Sequence, residues 1–158
     1  MDKTRKEKLT KLRRVAHKLP CLLNDEQIEK IIRGNLSTEE LKKDPMVAYT
    51  LALISKSKED KAYYAQIIVD SKNPMLNYLC ASKFKDADLV AHGLSIARSN
   101  NEKYINDYAL MLMHKAIKTR DDKSLVKYNS ALWEFRKALM MDKPVERARK
   151  LEVSKKDK

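Results

Sequence analysis

The sequence has little glycine and little proline, with two glycines and four prolines among 158 residues. Hairpin turns, phosphate-binding loops and dinucleotide-binding turns need positive φ angles or a close backbone approach, which glycine supplies. A chain this poor in glycine is therefore expected to lack them. Strand-favouring residues at 47–51 and 67–69 are outweighed by helix caps, alanines and segment lengths, so we predict an all-α fold.

Cysteine and long apolar runs are also scarce. Cys21 and Cys80 lie in apolar surroundings and form no spaced pair, which favours a reduced, intracellular protein in the cytoplasm. No window approaches the roughly 18 apolar residues that a membrane span needs. Near the basic N-terminus the only apolar run is 21–23, far short of a signal-peptide core, so secretion by that route is not expected.

The formal net charge of +12 is concentrated at the two ends. Residues 1–19 contain eight Lys/Arg against two acidic side chains, and residues 143–158 contain seven against three. The body between them is nearly neutral, so a phosphate-binding role would depend on the ends.

One motif occurs twice and in part a third time. Asp44-Pro45-Met46-Val47-Ala48-Tyr49 returns as Asn73-Pro74-Met75-Leu76-Asn77-Tyr78, and its last position returns as Tyr108, with spacings of 29 and 30 residues. A fixed period of this length indicates a repeat architecture.

Each copy is predicted to form two helices. Asp44 and Asn73 are favourable N-caps, and each precedes a proline at the first helical position. Thirteen residues later, Ser57 and Asp86 are expected to cap a second helix. Two-helix units of this length cannot bury themselves alone, so we predict a short α-solenoid of stacked helical hairpins.

The flanking segments are also predicted to be helical. An amphipathic helix from Thr4 to Leu19 places Leu9, Leu12, Ala16 and Leu19 on one stripe. Asn24 or Asp25 and Ser37 begin two short helices, with Gly34 at a left-handed C-cap between them. The third copy has a longer first helix, 102–119, and a second helix whose apolar stripe contains Leu125, Tyr128, Leu132, Phe135 and Leu139.

These elements predict a single helical-repeat domain over 1–142. Its repeats are expected at about 44–72, 73–100 and 101–141. Residues 143–158 are rich in charge and poor in apolar side chains, so we expect a basic, disordered tail.

The repeat period and the two-helix unit resemble HEAT-like and related α-helical repeat proteins over about 44–141. The resemblance rests on caps and apolar spacing and includes no family-specific motif. It implies architecture only, because scaffolds of this type serve both binding adaptors and enzymes that handle nucleic acids.

No catalytic, cofactor-binding or metal-binding residues are predicted. His17, His92 and His114 are scattered, Cys80 is expected in the core, and acidic pairs stand at helix starts, where the helix dipole favours them. The seven methionines are expected to fill the core more often than to form a surface. Tyr49, Tyr78 and Tyr108 are expected to pack between repeats, with a base-stacking platform as the alternative.

Two functions remain open. The first is a non-enzymatic adaptor whose helical-repeat surface docks a protein partner. The alternative is sequence-independent binding of DNA or RNA phosphates by the basic N-terminal helix and C-terminal tail. The candidate contact residues are Lys8, Lys11, Arg13, Arg14, Lys18, Arg147, Arg149 and Lys150.

Overall fold

A computed structural model describes the backbone of residues 2–156 and the side chains of residues 3–141. Within these residues the chain is all helical and contains no strand, which confirms the predicted fold class. Helices α1 to α9 span Asp2–Val15, Asp25–Arg33, Thr38–Lys43, Pro45–Ile54, Lys58–Ser71, Pro74–Lys83, Leu89–Arg98, Glu102–Lys118 and Asp122–Lys156, and a 3₁₀ turn, Ala16–Lys18, follows α1.

The helices form two compact units, Met1–Leu76 and Asn77–Lys158, here called unit 1 and unit 2. The boundary lies inside α6, in the second predicted repeat. The two units therefore do not coincide with the three predicted repeats, and the predicted solenoid stays a prediction.

In unit 1, α1 is held against α2 by two cationic side chains. Lys8 Nζ donates a 2.7 Å hydrogen bond to the carbonyl of Ile32, and Arg5 forms a 2.7 Å ion pair with Glu29. Leu12 is buried and Leu9 and Leu19 are half-buried, but Ala16, in the 3₁₀ turn, is exposed. The predicted stripe is therefore interrupted at Ala16.

Most caps of unit 1 agree with the sequence. Asn24 and Gln27 form a reciprocal capping box at the start of α2, and Ser37 and Ser57 accept hydrogen bonds from backbone N–H groups of α3 and α5. Gly34 ends α2 with φ of 73° but ψ of −170°, which places it outside the left-handed helical region that was predicted.

The predicted N-cap position of Asp44, before Pro45, is confirmed, but its side chain does not form the capping hydrogen bond. Its two carboxylate oxygens instead accept from Gln27 Nε2, each at 3.2 Å. This contact ties α2 to the start of α4, whose residues 46–50 are all buried.

A second repeated feature is the turn that joins one hairpin to the next. Ser71 and Ser99 each donate 2.6 Å hydrogen bonds to a carbonyl three residues earlier, and each accepts from the N–H two residues later at 3.2 Å. The residues between, Lys72 and Asn100, have φ of 60° and 59°. Asn73 and Asn101 then cap α6 and α8 by accepting from backbone N–H groups at 3.0 and 3.3 Å.

The start of α7 differs from the prediction. Asp88, and not Asp86, accepts a 3.1 Å hydrogen bond from the N–H of Ala91, so the helix begins at Leu89. Asp86 lies in the preceding turn. Asp86 and Asp88 both lie just before the apolar segment of α7. The end of the turn after α6 decides which of them caps the helix.

The core of unit 2 lies among α6, α7, α8 and α9. The rings of Tyr108 and Phe135 meet edge to face with centroids 4.9 Å apart, and both side chains are buried. The Tyr108 hydroxyl donates to the carbonyl of Leu89. A β-carbon on Gly93 would stand 2.9 Å from Cε1 of Tyr108, so glycine allows this close approach.

The last helix is longer than predicted. Asp121 accepts from the N–H of Ser124 at its start, and the backbone is helical through Lys156. The structure thus continues the helix through 143–156, where the sequence predicted a disordered tail. Beyond Pro144 the segment is rich in Glu, Arg and Lys, which are strong helix formers. The side chains of Arg147, Arg149 and Lys150 lie outside the described residues.

Candidate functional site

The most polar part of the core of unit 2 is a buried triad. Asn77 Nδ2 donates a 3.0 Å hydrogen bond to Ser95 Oγ, and Asn77 Oδ1 lies 2.7 Å from His92 Nδ1. Because the amide oxygen can only accept, His92 Nδ1 is the donor and carries a proton. Burial lowers the pKa of His92 to about 4, against a smaller opposing effect of Asp88. The triad is a structural network, since all three side chains are buried.

Cys80 is buried, as the sequence predicts, and burial raises the pKa of its thiol to about 12. A thiol with such a pKa stays protonated near neutral pH and is a poor nucleophile. Cys21 is exposed, so its predicted apolar surroundings are wrong.

The recurring tyrosines do not form a base-stacking platform. Tyr49 and Tyr108 are 0% exposed, and only Tyr78 is half-buried. Tyr78 packs against Tyr104 with ring centroids 6.1 Å apart. Stacking on nucleic-acid bases needs accessible ring faces, which Tyr49 and Tyr108 do not offer.

Acidic and metal-ligating side chains are dispersed in the part of the chain that the structure describes. No group of three or more His, Cys, Asp or Glu residues there is placed to hold a metal ion. In the predicted acidic pair at the start of α9, hydrogen bonds from Ser124 lower the pKa of Asp121, first through the hydroxyl and then through the backbone. This carboxylate caps a helix.

The basic candidates of α1 and of the 3₁₀ turn after it divide into two groups. Lys8 is half-buried and bound to the Ile32 carbonyl, so it serves the fold. The other candidates, Lys11, Arg13, Arg14 and Lys18, are exposed.

A further feature was not predicted from the sequence: α9 has an exposed apolar row. Val126, Trp133 and Met140 are 64%, 67% and 65% exposed and follow one another at intervals of seven residues. Such a spacing drifts only about 20° per step around a helix, so the three side chains share one face. The buried Ala131 and Phe135 face the opposite side. We call Val126, Trp133 and Met140 the α9 row.

Basic side chains flank the α9 row. Arg136 and Lys137 are exposed and lie on either side of it by helical geometry, and Lys123 is exposed near its N-terminal end. Glu134 is half-buried, and exposed Asp122 lies one turn before Val126 at the N-terminal end of the row. The part of the row around Trp133 is thus an apolar strip with a basic side chain on each edge.

Helix α8 has a shorter row of exposed apolar side chains, here called the α8 row. Leu110, Met113 and Ile117 are exposed and lie opposite the buried Tyr108 and Leu112. Unlike the α9 row, it spans only eight positions and contains no aromatic residue.

The methionines divide between core and surface. Met46 is buried and Met111 packs against the core of unit 2, as predicted. Met113, Met140 and Met141 are exposed, so core filling is wrong for these three. Exposed methionines adapt readily to differently shaped partners.

No protein-family model, curated protein or solved structure matches this chain. The resemblance to HEAT-like repeats stays a prediction. Among the described residues, every helix is too short or too polar to cross a bilayer.

Proposed function

We propose that this chain is a non-enzymatic docking protein and that the α9 row binds an amphipathic helix of an acidic protein partner. The observation that carries the proposal is the exposed, seven-residue spacing of Val126, Trp133 and Met140. Helices that dock on one another present anchors at such intervals.

The length of the row fits a helix. From Val126 to Met140 the axis advances about 21 Å at 1.5 Å per residue, which matches about four turns of a partner. Burying a Val, Trp or Met side chain contributes about 1.5 to 3 kcal/mol. Tryptophan is also among the residues most enriched at binding hot spots, so Trp133 is the expected central anchor.

Charge selects the kind of partner. Arg136 and Lys137 flank the row, so a partner helix with Glu or Asp beside its apolar stripe gains favourable contacts. Two copies of this chain that docked through the same face would place their basic side chains next to each other. We therefore favour an acidic partner over self-association.

The test measures binding of a fluorescently labelled peptide by anisotropy. The peptide contains about three heptads, with Leu at the apolar positions and Glu beside them, and a matched peptide has Lys in place of Glu. We expect the acidic peptide to bind at least about tenfold more tightly than the basic one.

Trp133→Ala should weaken binding of the acidic peptide by about tenfold or more. Ile117→Ala is the matched control, because Ile117 is 80% exposed in the same unit but belongs to the α8 row. It should change the Kd by less than about twofold. Equal binding of both peptides, or equal loss in both variants, would contradict the proposal.

Phosphate binding by α1 is a second candidate, supported by the exposure of Lys11, Arg13 and Arg14. Each phosphate contact on duplex DNA contributes about −0.9 to the slope of log K against log salt. Replacing these three residues with Glu should then abolish most binding of a labelled duplex and flatten the salt dependence. Affinity unchanged in the triple variant, at two salt concentrations, would remove this role from α1.

A further inference from the structure

Unit 2 contains a half-open cleft of about 140 Å³ at the C-terminal end of α6. The last turn of α6, the residues that follow it, and the first residue of α7 contribute to the lining, together with side chains of α8 and α9. The lining residues are Ala81, Ser82, Lys83, Phe84, Lys85, Leu89, Lys115, Lys127 and Tyr128.

The charge of this lining has a single sign. Lys83, Lys85, Lys115 and Lys127 line the cleft, and none of its lining residues is acidic. The body of the chain between its two basic ends is nearly neutral, so four lysines around one small cleft are a local concentration of charge. Low-dielectric walls strengthen the attraction of such a cleft for an anion.

Lys115 is the least exposed of the four lysines that line the cleft. It is half-buried, and its Nζ is 3.4 Å from the carbonyl oxygens of both Ala81 and Ser82 in the last turn of α6. Both distances exceed those of ordinary N–H···O hydrogen bonds, so these contacts are weak. Burial lowers the pKa of Lys115, and the positive charge of Lys127 lowers it further.

We propose that this cleft binds a phosphate group through the half-buried Lys115 and the exposed Lys85 and Lys127. The volume is below the roughly 300 to 1,000 Å³ of sites for drug-sized ligands, so it accommodates a single anionic group and not a whole cofactor. Lysine ammonium groups bind phosphate as point charges and need no fixed fork geometry. The site is separate from the α9 row and goes beyond the docking function.

Two sources of phosphate share this chemistry: the free ion and a phosphomonoester of a larger molecule. Phe84 and Leu89 supply apolar lining, which favours the monoester. Inorganic phosphate and phenyl phosphate therefore serve as separate probes. Tighter binding of phenyl phosphate assigns a monoester, and equal binding assigns the free ion.

The experiment titrates each probe into the full-length ¹⁵N-labelled chain at constant ionic strength and follows amide shifts by NMR. We expect saturable shifts centred on residues 81–85 and 115. Lys85→Gln together with Lys127→Gln should weaken binding by about tenfold, which corresponds to about 1.4 kcal/mol of binding free energy.

The matched control is Lys118→Gln together with Lys123→Gln. These lysines are exposed on α8 and α9, which both contribute to the cleft, but neither lines it, and the net charge of the two double variants is equal. The control should change the Kd by less than about twofold. The absence of saturable shifts with either probe, or equal weakening in both double variants, would overturn the proposal, and thermal melts would verify that both variants fold.

Discussion

Unit 1 and unit 2 contain the same helix-connecting turn but bury different side chains after the repeated motif. Where unit 1 has a buried Ala48, unit 2 has the buried Asn77, which organises the triad with His92 and Ser95. The exposed large apolar side chains differ as well. In the described part of unit 1 they are Leu22 and Tyr63, whereas unit 2 has two rows along α8 and α9.

This difference shows that a repeated sequence fixes local geometry more firmly than it fixes surface properties. The turn at Ser71 and the turn at Ser99 have the same hydrogen bonds, because their partners lie within a few residues. What the following helices bury or expose depends on side chains that are not repeated. The α9 row, on which the proposed docking function rests, therefore belongs to the part of unit 2 that is not repeated in unit 1.

The largest expected effect contrasts the two faces of α9. Phe135→Ala should destabilise unit 2 by about 3 to 5 kcal/mol, because it opens a cavity beside Tyr108. Trp133→Ala, two residues earlier, should change stability by less than about 0.5 kcal/mol, because the side chain is exposed. Urea unfolding followed by circular dichroism measures both. Similar losses would show that α9 has no solvent face.

The triad of unit 2 predicts that stability depends on pH. The pKa of His92 is lowered to about 4 in the folded chain, against about 6.5 when unfolded, so the unfolded state takes up a proton first as pH falls. The contribution of neutral His92 to the free energy of unfolding is fully present above pH about 6.5 and is lost as the pH falls towards about 4. Between pH 7 and 5 the expected loss is about 2 kcal/mol.

Urea unfolding at pH 7 and pH 5 checks this expectation with two variants. His92→Gln should remove most of the loss, whereas His114→Gln should retain it, because His114 is exposed. A pH dependence that is unchanged in His92→Gln would contradict a buried, neutral histidine.

A smaller effect is expected at Gly93. Gly93→Ala gains about 1 kcal/mol of helix propensity, but its β-carbon would stand 2.9 Å from the Tyr108 ring, and overpacking costs about 1 to 3 kcal/mol. We expect a net destabilisation of up to about 2 kcal/mol. In a Tyr108→Leu background the same change should become neutral or stabilising. A stabilising Gly93→Ala in the parent chain would show that the ring yields at little cost.

Local signals predicted much of the fold. The all-α class, the capping residues Asn24, Ser57 and Asn73 and the core position of Cys80 depend on short-range geometry or on apolar patterning. Asn101 was missed as a cap, although Ser99-Asn100-Asn101 matches Ser71-Lys72-Asn73 in spacing.

The failures required information from distant residues. Asp44 occupies the N-cap position of α4, but its carboxylate binds Gln27, 17 positions earlier, and not the N–H groups of the helix. Lys8 was assigned to a partner but reaches the Ile32 carbonyl. Leu125, at the N-terminal end of its predicted stripe, is exposed.

The α9 row could have been found from the sequence. The same helical period that directs Leu132 and Phe135 inward directs Val126, Trp133 and Met140 outward. A helix with apolar residues on two faces indicates a second contact. A binding measurement identifies that contact, because the helical period is the same whether a face packs on a partner protein or on another helix of the same chain.

Trp133 gives the most direct test of the docking proposal, because it is the only tryptophan in the chain and lies in the middle of the α9 row. Its emission should be that of a solvated indole in the free chain. Addition of the acidic amphipathic peptide should shift that emission to shorter wavelength, saturably, and should reduce quenching by acrylamide, whereas the matched basic peptide should not. Emission and quenching that stay unchanged at saturating acidic peptide would contradict the assignment of this face as a docking site.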